Sequence, residues 1–83
     1  MSLDDDLREE TEKWLRRAEN AFDEITFKEN EGERFHGNIA AYISDSRYFL
    51  DHGDLIRAFE AVIWAWAWME IGEEVGTLIS KDE

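Results

Sequence analysis

The sequence predicts an all-α protein, a three-helix up-and-down antiparallel bundle, and three observations support it. Apolar residues recur at alternating spacings of four and three in three separate segments, the period of a helix that buries one face. Two short glycine-containing junctions, Glu29-Asn30-Glu31-Gly32-Glu33 and His52-Gly53-Asp54, separate those segments. Connections that short force neighbouring helices to run antiparallel. No segment alternates apolar and polar residues as a half-buried strand does, and proline, the obligatory breaker of long helices, is absent.

The first helix is expected over residues 3–29. Ser2 or one of the following aspartates can cap it, and Asp4, Asp5 and Asp6 lie near the positive end of its dipole. Its inward stripe is Leu7, Thr11, Trp14, Ala18, Ala21 and Ile25, flanked by Leu15 and Phe22. Arg8, Glu9, Glu12, Lys13, Arg16 and Glu19 suit the wet faces. Gly32 then offers a left-handed backbone conformation for a turn.

The second helix is expected over 33–52. Phe35, Ile39, Tyr42, Ser46 and Phe49 form its stripe, widened by Ile43 and Leu50, and Gly53 caps its C-terminus. Asp54 follows at once as the N-cap of a third helix over 54–79. There the heptad series Leu55, Phe59, Val62, Trp66, Met69 faces the core, with Glu73 continuing it to a position open to water.

The third helix carries a second series two residues later: Arg57, Ala61, Trp64, Trp68, Ile71 and Val75. At about 100° per residue it lies roughly opposite the first. A corner helix of a three-helix bundle covers only one such face, so two tryptophans and two aliphatic residues are left for water or a partner. Apolar patches of that size mark interaction sites, and tryptophan is enriched among the residues that dominate interface energy. A second copy of the chain about a two-fold axis is the expected partner, with another protein as the alternative. Glu60, Glu70 and Glu74 flank the series and suit rim ion pairs that set register.

Composition narrows the classes. The 83 residues suit one domain, residues 1–83, and contain no cysteine, hence no disulfide and no thiolate nucleophile or metal ligand. Stability must come from helix packing or association. A formal net charge of −12 disfavours nucleic acid and anionic lipid. The longest apolar stretch, Ala61 to Met69, is nine residues, about half a membrane span. The acidic beginning does not match an export signal, so a cytoplasmic setting is expected.

Nothing in the motif content asks for catalysis, a metal or a cofactor. No metalloprotease, nucleophile-elbow or phosphate-loop motif is present. Ser44 and Ser46 have no adjoining base. Glu29, Glu31 and Glu33 with His36 lack a calcium-loop spacing and suit a solvated turn. Arg47 and His52 fit the Arg-x4-His spacing of HEPN-type ribonucleases, which makes an RNA-processing module the alternative function. Five helical steps set those side chains roughly 140° apart. In the simpler reading Arg47 pairs with Asp51 and His52 sits at the helix's negative end.

The stretch Tyr42-Ile43-Ser44-Asp45-Ser46-Arg47-Tyr48-Phe49-Leu50-Asp51-His52-Gly53-Asp54-Leu55-Ile56-Arg57-Ala58-Phe59-Glu60-Ala61-Val62 is similar to the central signature of the DUF357 family, and Trp64-Ala65-Trp66-Ala67-Trp68-Met69-Glu70-Ile71-Gly72 continues the likeness. The resemblance is dense over the last half of the chain and loose over the first helix. It implies a left-handed three-helix bundle in an archaeal cytoplasm, and it brings no catalytic residues.

Overall fold

Ser2 starts the first helix as the capping rules require: its Oγ accepts from the Asp5 backbone N–H at 3.1 Å. The computed structural model describes residues 2–81. In it, α1 (Leu3–Asp23), α2 (Asn30–Asp51) and α3 (Leu55–Val75) form an up-and-down antiparallel bundle, in which α2 and α3 share the largest interface. The α2–α3 hairpin follows its sequence signals closely. Gly53 adopts a φ of 78°, its N–H donates to Leu50 O, and the Asp54 N–H donates to Phe49 O. That pair of bonds is the Schellman stop. Asp54 Oδ1 then accepts from the Arg57 N–H at 3.2 Å and opens α3.

The other end of the bundle departs from the expected boundaries. Helix α1 stops at Asp23, short of residue 29, and α3 stops at Val75, short of residue 79. The β-branched pair Ile25–Thr26 is extended as β1 and lies antiparallel to β2 (Ile79–Ser80), with Ile25 opposite Ser80 and Thr26 opposite Ile79. Gly76, at a φ of 85°, ends α3 and turns the chain back. The Gly72 carbonyl then accepts from the Leu78 N–H and from Thr77 Oγ1, and the Lys81 N–H donates to Glu24 O at 2.8 Å. This two-stranded clasp ties the C-terminal ends of α1 and α3 together over the start of α2.

Gly32 does not serve as the turn residue expected of it. It is buried in the first turn of α2, which begins at Asn30. A Cβ there would collide with the Thr77 carbonyl oxygen and come within 2.6 Å of Phe27 Cβ. Its smallness, not a left-handed backbone, is what the site uses.

The core runs through Leu15 and Ala18 of α1, Phe35, Ile39 and Leu50 of α2, and Ala58, Val62, Ala65 and Met69 of α3, closed at the clasp end by Ile25 and Leu78. Two buried hydroxyls are satisfied by backbone: Thr11 Oγ1 donates to Leu7 O and Ser46 Oγ to Ala58 O, each at 2.7 Å. Several residues expected in the core lie at its margin. Leu7, Tyr42, Phe49, Leu55, Phe59 and Trp66 are half-buried, and Trp14 is 38% exposed. The central line of α1 is Thr11–Leu15–Ala18, one residue round the helix from Trp14. An indole does not fit where two helices approach closely, so Trp14 covers the seam between α1 and α3.

A candidate interaction surface on α3

Helix α3 meets both neighbours along a line of small residues. Ala58, Ala61, Ala65 and Gly72 are buried along with Val62 and Met69. At 100° per residue their arc is centred between the two heptad series that the sequence displays. Small side chains there let the helices come close, and the tryptophans on either flank fill the diverging grooves. Trp66, in the series assigned to the core, turns toward α1; its ring meets Trp14 edge-on, with centroids 5.9 Å apart, and its Nε1–H donates to Trp14 O. Trp68, in the series assigned to the interface, turns toward α2 and meets Phe35 edge-on at 5.1 Å.

The six residues of the expected interface therefore divide. Ala61 is buried within the protomer, and Trp68 is half-buried there with its ring against Phe35. Trp64 stacks beside Tyr42 at 6.3 Å yet stays 53% exposed. Ile71 and Val75 are exposed at 44% and 62%. Arg57 is exposed, 3.6 Å from Asp54 and above the Phe49 ring.

Two further isoleucines, Ile56 and Ile63, were not assigned to the interface and are also exposed on this side. Ile63, Ala67, Ile71 and Val75 are four apart and make one continuous ridge on the outward face. Their spacing of four is visible in the sequence, but it is hidden among apolar residues that surround the helix. Glu60, Glu70 and Glu74 are exposed along the same ridge.

Beside the ridge, between α1 and α3, runs a groove of about 470 Å³ lined by Trp14, Phe59, Trp66 and the inner sides of Ile63 and Ala67, with Glu70 at its rim. On its α1 side the Arg17 guanidinium lies over the Trp14 ring at 4.9 Å, and Lys13 Nζ lies 5.9 Å from it.

The remaining candidate residues are not gathered into a site. Arg47 reaches across to α1 and pairs with Glu19 at 2.9 Å rather than with Asp51. His52 Nδ1 is 2.8 Å from Tyr48 O, and its ring lies against Tyr48. The two side chains thus have different partners. His36 is held by aromatic rings, stacked on Phe22 at 4.2 Å with Phe27 at 5.2 Å, apart from the exposed Glu29, Glu31 and Glu33. Ser46 is consumed by its bond to Ala58, and Glu73 is exposed. Among the described residues no three His, Asp or Glu side chains converge, and no helix is long and apolar enough to cross a membrane.

Comparison with known proteins agrees with this architecture. The sequence model of DUF357, a protein family of unknown function, matches residues 9–78. The crystal structure of a DUF357 protein from Archaeoglobus fulgidus superposes with a TM-score of 0.87 at 59% identity, covering 95% of this chain and 99% of that one. No curated protein matches.

Proposed function

The chain belongs to the DUF357 family, a family of unknown function, and from that premise we propose that it is a non-enzymatic interaction module that self-associates through the outward face of α3. The observation that carries this is the continuous exposure of Ile63, Trp64, Ile71 and Val75 on one face of a helix whose opposite side already closes the bundle. Large aliphatic and indole surfaces left in water are favourable to bury, and such patches on small domains serve as contact sites. A second copy is the simplest partner because one surface then serves both sides of the contact.

Sedimentation equilibrium on the wild type and on Ile71→Glu with Trp64→Glu tests this. A dimer mass that falls to the monomer in the double variant, with helicity retained, is expected. A wild type that stays monomeric into the millimolar range removes self-association. Trp68 is not a suitable probe, since replacing it would disturb its contact with Phe35 inside the protomer.

A further inference from the structure

Resting on self-association through α3, we infer that the receiving surface is the groove between α1 and α3, so that each copy sets its Ile63–Ala67–Ile71 ridge into the groove of the other, with Arg17 facing the acidic residues of the incoming ridge. Ridge and groove lie side by side on one surface and share a wall, because Ile63 and Ala67 line the groove while forming the ridge. A two-fold axis between them places each over its counterpart, which is the condition for an isologous contact. Ala67 keeps the shared wall low, so two helices can approach closely there.

Charge is arranged in the same sense. On the α1 edge of the groove the Arg17 guanidinium is held over Trp14, while Lys13 is already paired with Glu10 at 2.8 Å. The ridge is acidic, with Glu70 and Glu74 exposed beside it. A two-fold operation brings Arg17 of one copy to the acidic ridge of the other, twice. A basic amphipathic helix in the same groove would instead meet Arg17 with like charge, and a small apolar molecule would leave the ridge uncovered. The local pairing also opposes the long-range repulsion between two chains of net charge −12.

Charge exchange on intact chains tests the arrangement, with the dimer dissociation constant from sedimentation equilibrium as readout and circular dichroism as the folding control. Arg17→Glu alone, and Glu70→Arg with Glu74→Arg, are each expected to weaken the dimer about tenfold or more. The three changes in one chain reverse every pair and are expected to return the constant to within about threefold of wild type. The absence of cysteine permits a second measurement. Chains carrying only Arg17→Cys or only Glu74→Cys, mixed and oxidised, should form the mixed disulfide in preference to either homodimer.

A triple variant no better than its halves, or crosslinks with no preference for the mixed pair, overturns the groove assignment. If Ile71→Glu dissociates the dimer while Arg17→Glu does nothing, association through α3 stands and the groove is not its receptor. Tighter binding of a basic helical peptide than of a second copy overturns the assignment in favour of a foreign partner.

Discussion

Two glycines of α2, five positions apart, should respond to the same substitution with opposite signs. Both take ordinary helical backbone, since positive φ is confined to Gly53 and Gly76 among the described residues. At Gly37 a methyl group would meet nothing within 4 Å. Alanine there gains helix propensity and restricts the unfolded chain, so Gly37→Ala should raise stability by about 0.5–1 kcal/mol. At Gly32 the same methyl would run into the Thr77 carbonyl and Phe27 Cβ. Neither neighbour can swing aside, because one is backbone and the other is the root of a side chain. Overpacking of that kind costs about 1–3 kcal/mol, more than the propensity gain near a helix start. Urea titration followed by circular dichroism, at one fixed protein concentration so that association does not intrude, reads the difference directly. In thermal melts each kcal/mol corresponds to about 4–8 °C for a domain of this size. A Gly32→Ala protein as stable as wild type would refute the clasp packing, because it would mean that Thr77 and Phe27 do not close over the first turn of α2.

Leu78→Ala should cost about 2–4 kcal/mol, since the side chain is buried against Gly72 and near Phe35 and its loss opens a cavity under the clasp; equilibrium unfolding checks this. Ser46→Ala, which removes the hydroxyl donated to Ala58 O in the α2–α3 interface, should cost about 1 kcal/mol by the same assay. Asp54→Ala removes the α3 cap and should also cost about 1 kcal/mol, with Asp54→Ser recovering most of it. Arg47→Ala should change stability by no more than about 1 kcal/mol, because its pair with Glu19 is more than a third exposed on both sides.

The parts of this fold that local rules govern are legible in the sequence. Ser2, Gly53 and Asp54 each act through bonds to residues three to five positions away, and each occupies the role its chemistry predicts. The clasp is not legible in the same way. Ile25–Thr26 and Ile79–Ser80 are two residues each and more than fifty apart, so no periodicity announces them, and only the bundle brings them together. Gly32 is misassigned for a related reason: a turn glycine and a close-approach glycine look alike until the neighbour across the gap is known. The face of α3 is partly legible. Its excess of apolar residues is plain, but which side meets α1 and α2 depends on fitting Ala58, Ala61 and Ala65 against two helices at once, and that rotates the core by a fraction of a turn from the heptad count.

The size of the exposed face sets the concentration at which association must be sought. Trp64 leaves on the order of 130 Å² in water, worth about 3 kcal/mol if buried, and Ile63, Ile71 and Val75 contribute about 2 kcal/mol each on the same scale of area. Both copies gain, giving about 18 kcal/mol at most if the whole face is covered, against an association cost of about 4–15 kcal/mol. The balance runs from about 3 to about 14 kcal/mol, so the dimer must be sought from millimolar down to nanomolar protein. Trp64 supplies about a third of the gain on each copy, so where it lies in the contact Trp64→Ala should raise the dissociation constant about a thousandfold or more. A Trp64→Ala dimer as tight as wild type would leave Trp64, which sits on the α2 side of the ridge beside Tyr42, outside the contact.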